Sequence, residues 1–393
     1  MEKIGLKLSI IIPCYNCQET LLEAVDSIYR QDLVEPFEIV MVNDVSTDDT
    51  WQLMQKLESE HPEIKIFRHE KNLGGGATRN TAVEKSSNDI IFCLDSDDIL
   101  GDGTLNKMIN FLVEKNCDAV GVSTSVKFRN KNIKDIAFTN NFGYVGEKIP
   151  FEGLFSSQKC SLYSVFMFTK RAFEIAGAYP TNHGFDTQGF AWRFLANGLV
   201  AYTCPETTYL HRINFHRSYY TREYEEGRLS HNWFKVFEEF LYLFNIETRL
   251  KLLQANLNDT YLSLPDLTGG QDGFRKDYLK FILPGTKSHY KNLIETNQAS
   301  DPTDYYWLGA ENYNQKNYQE AILWLNQAIK NGLSGPIIYF KIYDALAKLN
   351  NLEYPQVAES INHLYQYNKQ GGLLPFPIRL YRKIIREIRK KIK

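Results

Sequence analysis

No apolar run in this 393-residue sequence reaches the ~18–20 residues that a bilayer-spanning helix needs. The short N-terminal run in MEKIGLKLSIIIPCYN is broken by Pro13 and Asn16, so it reads as a first strand rather than a signal peptide. Cysteine is scarce. Six are scattered along the chain, which excludes a disulfide framework and points to reduced thiols in a cytoplasmic setting. Net charge is small, at −2, so no nucleic-acid partner is expected. Cys14 and Cys17 form a C-x-x-C without a second metal-type pair. Their two readings are a redox pair at a helix start or two small residues in a tight turn. Aromatic residues, by contrast, are plentiful: 24 Tyr and 24 Phe suit a helical repeat or a sugar-contacting surface and decide neither.

The first ~125 residues alternate two periodicities. LSIIIP (8–13), FEIVMVND (37–44), IKIF (64–67), DIIFCLD (89–95) and DAVGVS (118–123) are continuous apolar runs, the pattern of strands covered on both faces. Helical patterns lie between them at 20–31, 48–59, 76–86 and 103–115. That order predicts an α/β domain with a mostly parallel sheet, whose ligands bind beyond the carboxyl ends of the strands. Polar, Gly-rich and acidic segments collect at those ends: PCYN, VNDVSTDD, RHEKNLGGG and LDSDD. Residues ~126–220 are less regular, and the composition turns helical from ~221, with a turn-rich break at 263–273.

Residues 303–331 place Leu308, Gly309, Tyr318, Ala321, Leu325 and Ala328 at the small and bulky positions of a two-helix repeat. This resembles a tetratricopeptide unit, with 336–367 as a degenerate second one. The tail 373–393 puts Tyr381, Ile384, Ile385, Ile388 and Ile392 on one helical face, surrounded by eight Lys and Arg against the single acid Glu387. It reads either as an amphipathic helix for an anionic membrane surface or as a capping helix with a solvated basic face. The expected division is 1–220 for the α/β domain, 221–300 as a helical connection, 301–370 as the repeat-like region and 371–393 as the tail.

Asp95, Asp97 and Asp98 end the fourth apolar run. Such a cluster can hold a divalent cation, act as an acid/base pair, or solvate a turn. Asp95 and Asp97 share a face in extended backbone. Hard cations such as Mn²⁺ and Mg²⁺ prefer such oxygen ligands, completed by phosphate oxygens.

IIIPCYN (10–16), VNDVSTDDT (42–50), NLGGGATRN (72–80), LDSDD (94–98), HGFDTQGFAWRFLANG (183–198) and the YLHR segment (209–212) occur in one order over ~7–220. In that order they resemble the family 2 glycosyltransferases of the GT-A fold. The resemblance implies that Pro13 and Tyr15 frame a uracil, with Asn16 in the same motif, and that Asp44 accepts a hydrogen bond from the base. It implies that Arg79, on the helix after the loop begun by Gly74, contacts the diphosphate or orders the acids. Asp95 and neighbouring Ser96 would face the ribose, and Asp97 a Mn²⁺ or Mg²⁺ ion bridging the phosphates. His211 would be a third ligand, with His216 as the other candidate, and Arg212 would reach the pyrophosphate. The family carries a Glu-Asp pair where this chain has Asp186–Thr187. Asp186 is therefore the expected base, with His183 as the alternative.

The function implied is an inverting, metal-assisted transfer of a sugar from a nucleotide donor, UDP-linked, to a hydroxyl of a surface glycan, teichoic-acid-like polymer or glycoprotein. The helical region would bind acceptor, a protein partner or a second copy, with the protein cytoplasmic and its tail peripheral on the inner membrane face. A competing reading is a catalytically degenerate nucleotide-sugar-binding scaffold. Asp95 and Asp97 argue against it, and the missing carboxylate at 187 argues for it.

Overall fold

The computed structural model describes residues 7–213, except 34–35, 130–132, 157–158 and 182, together with 302–333 and scattered positions between 236 and 349. The chain divides into two compact units, 1–226 and 227–393. His216, most of the 221–300 connection, most of 336–367 and the tail lie outside the described residues.

In the first unit, β1 (Leu8–Cys14), β2 (Phe37–Asn43), β3 (Ile64–Arg68) and β4 (Ile90–Cys93) are parallel neighbours in the order β3-β2-β1-β4. Their near-continuous burial matches the apolar runs: Ile10, Ile11, Ile12, Val40, Met41, Ile91 and Phe92 have no exposed surface. The connecting helices are α1 (Leu21–Tyr29), α2 (Thr50–Glu60), α3 (Gly75–Lys85) and α4 (Thr104–Lys115). α1, α2 and α4 supply apolar residues, such as Leu21, Ala24, Val25 and Ile28 of α1, to the core against the sheet.

The region that looks irregular in sequence completes the sheet. A two-residue strand β5 (Ile99–Leu100), β6 (Ala119–Arg129), β7 (Ile136–Asn141), β8 (Phe166–Thr169) and β9 (Ala201–Ile213) give nine strands in the order β3-β2-β1-β4-β8-β6-β9-β5, with β7 beside β6. β8 enters antiparallel between β4 and β6, whereas β9 runs parallel to β6. The sheet is therefore mixed but mostly parallel, as expected of a GT-A-like layout.

Short α5 (Lys170–Ala176) leads to α6 (Asp186–Ala196). An aromatic cluster holds α6 in place. Phe190 stacks on Phe166 at 5.6 Å, lies 4.2 Å from Tyr179 and 5.3 Å from Phe168, and Trp192 donates its indole N–H to the Tyr163 hydroxyl at 2.7 Å. This packing fixes where the first residue of α6, Asp186, emerges.

In the second unit, α7 (Pro302–Asn314) and α8 (Tyr318–Lys330) form a helical pair. Gly309 is the close-approach position. A Cβ there would lie 2.5 Å from Leu325 Cγ. Tyr306, Ala310, Leu325 and Ala328 join Leu253, Leu333, Ile338 and Ile342 in one core.

Candidate active site

The polar segments that the sequence places at strand ends do meet. After β1, the chain turns through Asn16, whose φ is +50°, and this turn is tied to the loop after β2. Asn16 N–H donates to Ser46 Oγ at 3.0 Å, and Asn16 Oδ1 accepts from Thr47 N–H at 2.8 Å. Asn16 thus welds two loops together. Tyr15 beside it is 53% exposed, an open aromatic face at the crevice, and Pro13 is half-buried in β1. Val45, at φ +61°, is a β-branched residue held in the left-handed region, a strain of order 1–3 kcal/mol that such loops store at functional sites.

Asp44 is buried, and its carboxylate organises the glycine loop. Oδ1 accepts from Leu73 N–H at 2.8 Å and pairs with His69 Nδ1 at 2.7 Å, while Oδ2 accepts from Gly74 N–H at 2.8 Å. His69 Nε2 in turn meets Thr81 Oγ1 at 3.0 Å. Of the four lone-pair positions of a carboxylate, three are taken within the protein, so at most one remains for a base. Gly74, at φ +86°, adopts a backbone that a side chain would strain, and it caps α3. Gly76 lies so near Pro180 that a Cβ would sit 2.0 Å from its carbonyl oxygen. Asn80 locks the same approach by exchanging two hydrogen bonds with the Tyr179 backbone, at 2.9 and 2.8 Å.

Arg79 stands at the centre. One terminal nitrogen donates to Asp186 Oδ2 at 2.5 Å and the other to Asp95 Oδ1 at 2.6 Å. It joins the acids after β4 to the head of α6, across 107 residues of sequence. The two carboxylates hold its guanidinium above its ordinary range against the opposing effect of burial. Burial pushes the Asp186 carboxyl up, Arg79 pulls it down, Asp95 pushes it up again, and the net direction is upward. Asp186 Oδ1 keeps one partner, the N–H of Thr187 at 3.0 Å. The alternative base, His183, accepts the Phe185 N–H on Nδ1 at 3.1 Å. In a neutral ring the proton then sits on Nε2, so this imidazole offers a donor where a base needs a lone pair.

The three acids take different places. Asp98 is 1% exposed and turned inward: Oδ1 accepts the Arg212 N–H at 2.7 Å and Oδ2 meets His211 Nδ1 at 3.0 Å. His211 opposes burial of the Asp98 carboxylate and holds it below the usual range, and Asp98 raises His211 in return. A carboxylate on Nδ1 leaves Nε2 as the free nitrogen, the usual arrangement behind a metal-ligating histidine. Asp97 is exposed over its surface, yet its carboxyl is crowded at the foot of the crevice. Desolvation, then Asp98 and Asp95, push it up to about 7. The upward direction follows from desolvation and the two neighbouring negative charges. Ser96, between them, is half-buried.

Arg212 has a place other than the one expected of it. It is 6% exposed, its Nε donates to the Asp97 carbonyl at 2.8 Å, its terminus pairs with Glu23, and its guanidinium lies 4.7 Å from the Phe128 ring centre. A guanidinium so enclosed anchors the acidic loop to α1 rather than presenting itself to a pyrophosphate. Cys14 and Cys17 are free and buried at the turn after β1, next to this loop.

Among the described residues no group of three or more His, Cys, Asp or Glu side chains is placed to hold a metal ion. What the chain offers a divalent cation is two donors, Asp97 and His211 Nε2. The Asp97 carboxylate accepts no hydrogen bond from another described residue, and its raised pKa marks an excess of negative charge that a cation relieves. That pair fits a hard cation only when other oxygens, such as those of a diphosphate, complete the shell.

His69, Thr81, Asn80 and Glu23 escape a reading of the sequence. His69 and Asn80 lie inside or beside quoted motifs, but nothing in their spacing reports their partners.

A glycine loop ordered by a buried acid, an open tyrosine and an acidic strand end bridged by arginine thus meet at one edge of the sheet. Residues 9–172 match the family described as Glycosyl transferase family 2, which is somewhat under half of the chain. Among curated relatives, the poly(ribitol-phosphate) beta-glucosyltransferase of Bacillus spizizenii is 33% identical over 115 residues, 29% of this chain and 18% of that protein. The poly(ribitol-phosphate) beta-N-acetylglucosaminyltransferase TarS of Staphylococcus aureus is 33% identical over 117 residues, 29% of this chain and 20% of its own length. The putative teichuronic acid biosynthesis glycosyltransferase TuaG of Bacillus subtilis is 32% identical over 110 residues, 28% of this chain and 43% of that protein. The matched stretch thus spans less than half of each relative. The crystal structure of S. aureus TarS 1–349 in complex with UDP-GlcNAc covers 95% of this chain and 94% of its own, at 16% identity and a TM-score of 0.49. No helix among the described residues is long and apolar enough to cross a membrane.

Proposed function

We propose that the protein is an inverting glycosyltransferase that moves a sugar from a UDP-linked donor to a hydroxyl of an anionic cell-envelope polymer. The observation that carries the reading is Arg79, which ties the donor-side Asp95 to Asp186 at the acceptor side in one buried bridge. The family 2 match over 9–172 supports it. Tyr15 offers the uracil an aromatic face, and Asp44 keeps one lone pair for the base. Asp97 and His211 Nε2 would hold Mn²⁺ or Mg²⁺, which, when bound with the diphosphate, neutralises charge gathering on the departing UDP. Asp186 receives the acceptor proton on Oδ1, the oxygen that Arg79 leaves alone, and its upward-shifted carboxyl suits a base better than an ordinary aspartate. The acceptors in the relatives' names, poly(ribitol phosphate) and teichuronic acid, are the first to try.

The test is UDP release from UDP-sugars with Mn²⁺ present. Wild type releases UDP slowly without acceptor and faster with a polymer, and Asp97→Ala abolishes both. If calorimetry finds no UDP-sugar bound by wild type, the enzyme reading falls. The scaffold reading is favoured by one observation: Thr187 stands where a second carboxylate is expected, and Asp186 is already paired. It requires donor binding without turnover toward any acceptor.

A further inference from the structure

A second group of side chains borders this site. Lys127 of β6 pairs laterally with Phe138 of β7 on one side and with His211 of β9 on the other. Side chains at paired positions project to the same face of a sheet, so aromatic ring, ammonium and imidazole form one row. Phe138 is 55% exposed, and Ile136, two residues before it, is 54% exposed. The nearby cation Arg129 is taken by Asp135 at 3.1 Å. Lys127 is half-buried and makes no ion pair or hydrogen bond among the described residues. A half-desolvated ammonium with no contact partner is a costly arrangement unless an anion arrives to share it.

Its position says which anion. Tyr15 follows β1, and the sheet path from β1 to β6 runs through β4 and β8. β7 borders β6 on the same side as β8, so the row is centred on Lys127 of β6, three strands and ~14 Å across the sheet from β1. A donor anchored by its base beside Tyr15 brings its diphosphate to the acids after β4. The β6–β7 hairpin then flanks what lies beyond the diphosphate.

We propose that Lys127 and Phe138 form an acceptor subsite for an oxyanion-bearing carbohydrate chain, the ammonium binding a phosphodiester or carboxylate and the ring packing on the adjacent sugar or polyol. This rests on the transferase reading for the word acceptor, though not for the binding itself. A phosphodiester and a uronate share the oxyanion chemistry, and the probes separate them.

The experiment uses the full chain with Mn²⁺ and UDP, titrated in a calorimeter with three probes: a synthetic glycerol phosphate oligomer, an oligogalacturonate and a neutral malto-oligosaccharide. At least one anionic probe binds wild type, and the neutral one binds much more weakly. Lys127→Gln weakens the anionic probe about 10-fold or more, as loss of a charge-assisted hydrogen bond does. Lys127→Arg restores most of it, and Phe138→Ala weakens it less. Affinity for Mn²⁺–UDP stays within about twofold across the series, which also reports intact folding. Three results overturn the proposal: no anionic probe bound by wild type, an unchanged affinity in Lys127→Gln, or an equal loss of UDP affinity, which would assign Lys127 to the donor. If anionic probes bind in this pattern while no UDP-sugar is bound or turned over, the transferase reading fails and the anion subsite stands.

Discussion

Replacing Arg79 by methionine keeps most of the stem and removes the charge. The structure says what is stranded. Asp186, with a side chain 12% exposed, loses its 2.5 Å partner and keeps only the Thr187 N–H, while Asp95, 32% exposed, can turn to water. Breaking a buried pair by removing one member costs about 3–5 kcal/mol. The exposed Asp95 half adds at most about 1 kcal/mol, and the lost contact with the Tyr179 ring, 6.0 Å away, adds about 0.5 kcal/mol. About 3 kcal/mol is expected, since Asp186 can protonate in part. In a unit of roughly 200 residues each kcal/mol moves Tm by about 2–4 °C, so calorimetry of the full chain should show a fall of roughly 6–12 °C. The cause is checked by the second variant: Arg79→Met/Asp186→Asn removes the stranded charge and recovers part of the loss. It is also checked by pH. An acid whose folded pKa lies above its unfolded one costs stability above that folded pKa and stops costing it as pH falls through it. The deficit of the single variant therefore shrinks from pH 8 to pH 5. A double variant no more stable than the single one, or a deficit independent of pH, would refute the stranded-charge account.

Asp97→Asn should stabilise the metal-free protein at pH 8 relative to wild type. Between pH ~4 and ~7 the folded state holds a proton on Asp97 that the unfolded state has released, so wild-type stability drops relative to the variant as pH rises through this window; added Mn²⁺ with UDP reverses the order in thermal melts. Gly76→Ala should cost several kcal/mol and most activity, because its Cβ would meet the Pro180 carbonyl oxygen at 2.0 Å and push α3 away from the Tyr179 segment; urea unfolding measures it. Tyr15→Ala should weaken UDP about 10-fold, the worth of one stacked base, with little change in Tm because the ring is half in solvent; titration calorimetry reads both the loss and any unexpected unfolding.

The sequence by itself determines the β-α-β-α-β-α-β half of the sheet. Its parallel strands are buried on both faces, so their apolar runs are continuous, and α1 and α4 between them keep a 3.6 period. It also determines which polar segments reach the crevice, since parallel strands put all their carboxyl ends at one edge. It places Gly309 and Leu325 in a helical pair for the same reason of period. What the tertiary structure alone decides are the pairings between distant segments. β8 slips antiparallel between β4 and β6, an order that no local pattern encodes because antiparallel and parallel strands share the same apolar reading. Asp98, set aside from the other acids by its position in sequence, becomes the buried partner of His211 only because β5 and β9 are neighbours. Arg212, expected at the pyrophosphate, is drawn inward by Glu23 and Phe128, residues 189 and 84 positions away. Asp186 meets Arg79 because the aromatic cluster under α6 aims the helix at the glycine loop, and aromatic packing fixes a direction that composition leaves free. Lys127 stands out for the same reason: in the sequence it is one lysine among many, and a register shared with Phe138 and His211 gives it a place.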